Sequence, residues 1–368
     1  MLTNRGGRTR RPESVDSSKS TADISQFFCA AWTASKQALN LAPDTPPVWL
    51  NVGGESLRLV FAGESMIPNI VPALEHLRID PQPQADLDIA IWDSVSTKLN
   101  MPSPPWSEGD YLARGEIRTH RGDDGIDLAY QPGSGFLSML QGSTRKAMLW
   151  THDSGQCPYW ERAAPLRSIL HWWSLRNGQQ LVHGAAVGTT SGAILLTGKG
   201  GSGKSTTALT GLLSGLDYIG DDYVLCELTD ASARVHSLFN TAKLDRDAFQ
   251  HVPELQTKLV NADRLEHEKG VIFTHQHFPQ QVCRSRLLRA IVIPRVTDRD
   301  SSRMLTMRPA LAYMALTPTT VFQLPGAKQA SLAFLKQLVE RLPCYQLELG
   351  SAPEQTADLI KQFIEQRA

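Results

Sequence analysis

The sequence predicts a mixed α/β protein with two domains, a β-rich α+β domain followed by an α/β domain. Its 368 residues fill about two domains at the usual roughly 100 to 200 residues each. Strand-like apolar runs separated by turn residues dominate residues 23–160, whereas strands and helices alternate over residues 161–368. In the second part an apolar run, a glycine-rich loop and a helical pattern follow one another directly, which is typical of an α/β domain.

The first domain is expected to be preceded by a polar tail. Residues 1–22 are rich in serine, arginine and glycine, so we predict that they are disordered. The next stretch, 24–41, has the apolar content of a helix and stops before a proline-rich break. Gly53 and Gly54 predict a hairpin. We expect the strands of the domain at 23–160 to lie at 48–52, 57–61, 87–92, 111–118 and 126–130.

The second domain, residues 161–368, opens with a helix expected at 164–175, which Asn177 and Gly178 end. We expect its strands at 180–187, 193–197, 218–225, 235–238, 271–273 and 287–293. Further helices are predicted at 205–213, 331–341 and 353–367.

Composition argues against several classes of partner. Lysine plus arginine and aspartate plus glutamate both number 37, so no overall positive field concentrates nucleic acid around the protein. No apolar run approaches the roughly 18 residues of a membrane span, and no apolar segment follows the amino-terminal arginines to make a secretory signal. The five cysteines never form a CxxC pair, which argues against a zinc knuckle or a disulfide framework. We therefore expect a cytoplasmic protein that binds neither nucleic acid nor membrane.

The strongest chemical signal is the octapeptide from Gly198 to Ser205, which matches G-x-x-x-x-G-K-[ST] at every fixed position. Glycines let the backbone N–H groups point at phosphate oxygens, Lys204 adds a positive charge, and Ser205 offers a hydroxyl to Mg²⁺. We expect ATP and Mg²⁺ as cofactors. The residues expected to bind them are Gly198, Gly200, Gly201, Ser202, Gly203, Lys204, Ser205 and Thr206.

The alternative for this octapeptide is a glycine-rich surface loop that binds nothing. Its flanks argue against that alternative, because the apolar run 193–197 precedes the loop directly. Ala208, Leu209 and Leu212 then repeat at helical spacing after it. Strand, loop and helix therefore stand in the order that phosphate binding at a helix N-terminus requires.

Two adjacent carboxylates, Asp221 and Asp222, interrupt an otherwise apolar strand pattern. A strand tolerates such a pair where its end faces solvent, metal or substrate. One carboxylate could hold Mg²⁺ and the other could accept a proton from an attacking hydroxyl. The alternative is a Gly-Asp-Asp turn. His183, in the apolar run 181–187, is either a core histidine or a partner that orients a nearby carboxylate.

These elements together resemble a known family. The segment HGAAV, followed by GAILLTGKGGSGKSTTALTGLLSGLDYIGDD, is similar to the catalytic core of HPr kinase/phosphorylase in the order and spacing of its parts. The likeness runs from His183 to about Leu225. Thr206 stands where that family usually has Glu, and its R-G-L-G run has no counterpart after Leu238. With these departures, the chain looks more similar to the HPr-kinase-like proteins of peptide-modification clusters, including those that phosphorylate a serine of lasso peptide precursors.

The resemblance implies that the second domain has the P-loop fold shared by HPr kinases and phosphoenolpyruvate carboxykinases. It also implies transfer of the γ-phosphoryl group of ATP to a serine of a protein or peptide. Asp221 would be the base that activates the hydroxyl, with His183 as its partner, and Asp222 would be a supporting carboxylate near the metal, together with Ser205. Beside this resemblance, we expect the domain at 23–160 to recognise the acceptor or a partner. The hexameric relatives imply a possible homo-oligomer.

Two other functions remain open from the sequence. One is an ATP-hydrolysing binding or assembly factor, and the other is a small-molecule kinase. Four charged residues near strand ends are either a second phosphate clamp or ordinary solvated charges and ion pairs. They are Lys243, Glu268, Lys269 and Arg295.

Overall fold

The computed structural model of the chain describes residues 17–117, 125–230 and 232–367. Most of the predicted tail, residues 1–16, lies outside this part, as does residue 118 at the end of a predicted strand. The described chain is a mixed α/β structure with sheets of six, nine and two strands. None of its described helices is both long and apolar enough to cross a membrane.

A six-stranded sheet with the order β1-β2-β3-β6-β5-β4 forms the first part of the chain. Its elements are α1 (Ser17–Asn40), β1 (Val48–Val52), β2 (Glu55–Phe61), α2 (Ile67–Leu74), β3 (Leu87–Asp93), α3 (Ser94–Thr97), β4 (Ile126–Gln131), β5 (Phe136–Gln141) and β6 (Lys146–Thr151). Two helices follow the sheet, α4 (Tyr159–Ala163) and α5 (Arg167–Arg176). The predicted hairpin and the strands at 48–52, 57–61, 87–92 and 126–130 are confirmed.

Helix α1 confirms the helix expected at 24–41 but begins at Ser17, inside the predicted tail. Ile24, Phe27, Phe28 and Ala31 are buried and recur at the three- and four-residue spacing of one helix face. They pack on the sheet against residues that include Met139. Burial of this apolar face stabilises the helix.

The strand expected at 111–118 is wrong for the described residues. Tyr111 and Ile117 form only an isolated bridge. Between them Gly115 has a φ of +79°, and its N–H donates to the carbonyl of Leu112. A turn with a glycine in the left-handed region breaks the extended backbone that the apolar pattern predicted.

The second part of the chain is built on the nine-stranded sheet. Its elements are β7 (Gln179–His183), β8 (Ala185–Thr189), β9 (Gly192–Leu196), α6 (Lys204–Leu213), β10 (Asp217–Gly220), β11 (Tyr223–Leu228), β12 (Ala233–His236), β13 (Thr241–Leu244), β14 (Gly270–Phe273), α7 (Thr274–His277), β15 (Ser285–Val296), β16 (Arg303–Met307), α8 (Pro309–Val321), α9 (Lys328–Arg341), β17 (Cys344–Leu349) and α10 (Pro353–Glu365). The main strand order is β10-β8-β9-β15-β12-β11-β7, with β17 beside β15 and β16 beside β17. Strands β13 and β14 form a separate two-stranded sheet.

Two strands that the sequence predicts as continuous are each split. The expected strand 180–187 breaks at Gly184, and the expected strand 218–225 breaks at Asp221 and Asp222. Strands β7 and β11 pair at one end of the strand order, whereas β8 and β10 pair at the other. The Gly184 N–H donates to the carbonyl of Asp222 over 3.1 Å, so the two breaks lie against each other. A Cβ at residue 184 would lie 2.7 Å from the carbonyl oxygen of Leu196, which explains the glycine.

The apolar core continues across the domain boundary predicted at residue 160. One cluster contains Leu57 and Ile89 of the first sheet, Trp172 of α5, and Tyr223 and Phe239 of the second part. The two halves therefore share buried apolar surface. Residues of the first sheet belong to the same cluster as Tyr223, which directly follows Asp221 and Asp222.

Candidate phosphate-binding site

The glycine-rich loop connects β9 to α6, as the sequence predicts. β9 is buried along its whole length, and α6 begins at Lys204. Gly203, the residue before the helix, has a φ of +100°, in the left-handed region that favours glycine. The loop therefore delivers the first N–H groups of α6 to one surface, where they can bind an anion.

Lys204 is folded back onto its own loop. Its Nζ donates to the carbonyl oxygens of Gly198 over 2.7 Å and of Lys199 over 3.1 Å. Burial lowers the pKa of the Lys204 ammonium, against the opposing effect of Asp221 and Asp222. The Ser202 hydroxyl is buried and has no hydrogen-bond partner among the described residues. The loop thus holds both a buried cation and an unpaired buried hydroxyl.

Asp221 lies directly beside the loop, at the break between β10 and β11. The Ser205 hydroxyl donates to Asp221 Oδ1 over 3.0 Å. Asp221 is 2% exposed, and its Oδ2 has no hydrogen-bond partner in the described part of the chain. Burial, followed by the negative charge of Asp222, raises the pKa of Asp221. An unpaired, buried carboxylate oxygen is costly unless a ligand or cation satisfies it.

Asp222 is bound by two basic side chains. Its Oδ1 lies 3.3 Å from His183 Nε2, and its Oδ2 lies 2.5 Å from Lys243 Nζ. Burial alone would raise the pKa of Asp222, but Lys243 and then His183 hold it well below its usual range. Asp222 has a φ of +69°, a left-handed conformation that is strained for a residue other than glycine. Its side chain remains 20% exposed, so it is the more accessible of the two aspartates.

A cavity of about 170 Å³ brings these groups together. The residues that line it are His183, Gly200, Gly201, Gly203, Lys204, Ser205, Thr206, Asp221, Asp222, Lys243, Leu244, Asp245, Ala248 and Lys269. The expected site residues are all in this set except Gly198, whose carbonyl accepts from Lys204, and Ser202. The loop, the two aspartates and the histidine thus lie around one cavity.

The contacts inside the cavity differ from the expected pairs. His183 contacts Asp222, whereas the resemblance predicts that it assists Asp221. Ser205 contacts Asp221, where the sequence analysis expects a metal site with Asp222. The reason is that the break after Gly220 turns the two adjacent side chains in different directions, one toward α6 and one toward β7 and β13.

Lys243 and Lys269 are cavity residues that the sequence suggested only as a possible clamp. They lie on or beside β13 and β14, where Lys243 pairs in register with Val271. Lys269 Nζ lies 3.0 Å from Asp245 Oδ2. Glu268 instead accepts from Asn261, and Arg295 does not line the cavity. The sequence feature that could have identified Lys243 as a site residue is its position within a short apolar strand.

A second layer of residues fixes His183. Its ring packs edge-on against Tyr223 at 5.5 Å between centroids, and its backbone N–H donates to Thr320 Oγ1 over 3.2 Å. The Tyr223 hydroxyl donates to Gln323 over 2.6 Å. The Arg167 guanidinium lies 5.5 Å from the Tyr223 ring centroid. Helices α5 and α8 thus hold the histidine in place through contacts that no local sequence pattern indicates.

A second cavity, of about 210 Å³, adjoins the first. It shares Gly203 and Thr206 with the phosphate cavity. Its lining residues are Gly203, Thr206, Thr207, Thr210, His251, Val296, Thr297, Leu349, Gly350, Ser351, Pro353 and Thr356. Six of these twelve residues carry a hydroxyl group, and Val296, Leu349 and Pro353 add apolar surface, so the cavity offers both hydrogen-bonding groups and apolar contacts to an organic ligand.

The residues present also fit Mg²⁺. The Ser205 hydroxyl and the unpaired Asp221 Oδ2 are hard oxygen donors, of the kind that Mg²⁺ prefers. Within the described residues, no group of three or more His, Cys, Asp or Glu side chains is placed to hold a metal ion by itself. This is the usual situation for Mg²⁺ sites that are completed by substrate phosphates.

Comparison with known proteins adds little to this geometry. No family profile and no curated protein matches the chain. Among solved structures, the chain is similar to the Hpr(Ser) kinase/phosphatase from Coxiella burnetii. The alignment covers 51% of this chain and 97% of that chain, with 9% sequence identity and a TM-score of 0.30. A likeness of this degree leaves the function to be argued from the site itself.

Proposed function

We propose that this protein is an ATP-dependent kinase that transfers the γ-phosphoryl group to a serine hydroxyl of a protein or peptide. The observation that carries the proposal is the single cavity in which the glycine-rich loop, Lys204 and Ser205 face Asp221 and Asp222. Phosphoryl transfer requires these parts, namely phosphate-binding N–H groups, a cation, metal ligands and a carboxylate near the acceptor.

The two adjoining cavities suit the two ends of a nucleotide. The triphosphate would bind the loop N–H groups at the start of α6, and Lys204 would exchange its carbonyl partners for phosphate oxygens. The base would lie in the neighbouring cavity, which Val296, Leu349 and Thr210 help to line. Gly203 lines both cavities, and a side chain there would meet Leu349 of the second one.

Ser205 and Asp221 would hold Mg²⁺ together with the phosphates. When bound, the metal ion neutralises the charge that develops on the phosphate oxygens. The Ser205 hydroxyl and Asp221 already contact each other over 3.0 Å, so both donors lie on the same side of the cavity.

Asp222, rather than Asp221 as the resemblance implies, would receive the acceptor, because its side chain is more exposed than that of Asp221. The acceptor oxygen forms a bond to the γ-phosphorus while the bond from that phosphorus to the β-bridging oxygen breaks and ADP leaves. The proton of the serine hydroxyl passes to the Asp222 carboxylate. His183 keeps that carboxylate in position through its contact with Oδ1.

The serine acceptor and the peptide class rest on the resemblance of residues 183–225 to HPr-kinase-like proteins. Under this proposal the β-rich domain at 23–160 recognises the acceptor, and the reaction takes place in the cytoplasm with ATP. A homo-oligomer is a further expectation from the same resemblance.

The test is transfer of label from γ-labelled ATP with Mg²⁺ to a panel of serine peptides, HPr and a metabolite mixture. Lys204→Met is the control, because it removes the loop cation and should abolish transfer. Label on a protein or peptide serine supports the proposal. Label on a metabolite would point to a small-molecule kinase. Labelled free phosphate that no acceptor changes would point to an ATP-hydrolysing binding factor.

A further inference from the structure

Lys243 contacts the acceptor side of the site and also lines the cavity on the phosphate side. It lies on β13, in the small two-stranded sheet, and its side chain is 16% exposed. Its Nζ contacts Asp222 Oδ2, yet it also lines the same cavity as Gly200, Gly201 and Lys204.

Asp222 therefore has both carboxylate oxygens engaged by cations or hydrogen-bond donors. His183 contacts Oδ1 and Lys243 contacts Oδ2. Each carboxylate oxygen keeps a second lone pair, but a contacting cation lowers its affinity for a proton, so Asp222 accepts the proton of an acceptor hydroxyl more readily once one of these contacts is released. The His183 ring is fixed by Tyr223 and its backbone by Thr320, whereas a lysine ammonium ends a flexible four-carbon chain.

A bound nucleoside triphosphate would compete with Asp222 for the Lys243 ammonium. The triphosphate carries several negative charges, whereas Asp222 carries one. Lys204 shows a parallel arrangement, since its ammonium contacts two backbone carbonyl oxygens and would move to phosphate oxygens in the same way.

We propose that Lys243 exchanges Asp222 for an oxygen of the terminal phosphate when the nucleotide binds, and thereby frees Asp222 for the acceptor hydroxyl. This inference rests on the proposed function and adds to it. Lys243 becomes a group that touches the transferring phosphoryl, and the acceptor can be activated only after the nucleotide is in place.

The experiment distinguishes a contact between Lys243 and the γ-phosphate of ATP from a role in which Lys243 only neutralises the charge of Asp222. Dissociation constants for ATP and ADP are measured without Mg²⁺, by competition with a fluorescent nucleotide, for wild type, Asp222→Asn, Lys243→Met and the double variant. In the Asp222→Asn background Lys243 has no carboxylate to balance at that position. If Lys243→Met changes the preference for ATP over ADP in that background, Lys243 contacts the γ-phosphate. Lys336→Met, at an exposed lysine of α9, is the control for loss of a positive charge.

We expect Lys243→Met, in the Asp222→Asn background, to weaken ATP binding by about tenfold or more, as for a lost charge-assisted hydrogen bond. ADP binding should weaken by less than about threefold, because ADP lacks the γ-phosphate. Equal weakening of ATP and ADP, or none, would overturn the exchange and leave the proposed kinase intact. If wild type bound neither nucleotide even with Mg²⁺ added, the proposed function would fail and this inference with it.

Discussion

At the scale of residues, the site depends on two left-handed backbone conformations, one at a glycine, which adopts it readily, and one at an aspartate, for which it is strained. Asp222 has a φ of +69°, and Gly203 has a φ of +100°. The aspartate is held there by contacts to His183 and Lys243 and by the hydrogen bond from Gly184 to its carbonyl. Strain of this kind persists only where the surrounding structure over-determines it, and it concentrates at functional sites.

Gly203 gives a prediction at this scale. Gly203→Ala should destabilise the protein by about 1–3 kcal/mol, because alanine is strained at this φ and its Cβ would lie 2.5 Å from Leu349 Cδ1. Urea unfolding measures the change. Gly200→Ala is the matched control, since a Cβ there meets no atom within 4 Å. Equal stability of the two variants would contradict the account of Gly203.

At the scale of elements, the strand–loop–helix unit was predictable and the strand breaks were not. The run before Gly198 and the spacing of Ala208, Leu209 and Leu212 are local patterns, and β9 and α6 confirm them. The breaks at Gly184 and after Gly220 arise because the strands change partners there, which is a long-range property. The contact between Asp222 and Lys243 is of the same kind.

Helix α8 was not predicted, although it supports the site. Its sequence is apolar on every side, and Leu311, Met314 and Phe322 next to its end are exposed. Without a polar face the helical period is absent from the pattern, so periodicity cannot reveal it. Its contribution to the site, the hydrogen bond from His183 to Thr320, could be found only from the structure.

At the scale of the whole molecule, the two halves are joined by polar contacts as well as by a common core. His76, which follows α2, is buried, and its Nε2 lies 2.7 Å from the Ser237 hydroxyl. Asn240 Nδ2 lies 3.3 Å from His76 Nδ1, and Arg284 donates to the His76 carbonyl. Both Ser237 and Asn240 lie between β12 and β13, close in sequence to the strand that carries Lys243.

This junction predicts a pH dependence of stability. Burial, helped by the charges of His275 and Arg284, lowers the pKa of His76 to about 3. Between about pH 6.5 and pH 3 the unfolded chain binds a proton at this histidine and the folded chain does not, so stability falls as the pH falls. The slope is up to about 1.4 kcal/mol per pH unit for such a histidine.

Unfolding free energies of wild type and His76→Asn, measured from pH 4 to pH 7, test this prediction. The variant should lose less stability on acidification than wild type, whatever its absolute stability. His152→Asn, at an exposed position, controls for loss of a histidine as such. Parallel curves for wild type and His76→Asn would show that His76 does not carry the effect.

The most direct test of the central claim is single-turnover phosphoryl transfer by wild type, Asp221→Asn and Asp222→Asn, with the affinity for ATP measured with and without Mg²⁺. We predict that Asp222→Asn retains Mg²⁺-dependent ATP binding and loses transfer by about a hundredfold or more, as for a removed general base. Asp221→Asn should lose the gain in ATP affinity that Mg²⁺ provides. Transfer by Asp222→Asn at the wild-type rate would contradict the claim that this cavity activates an acceptor hydroxyl through Asp222.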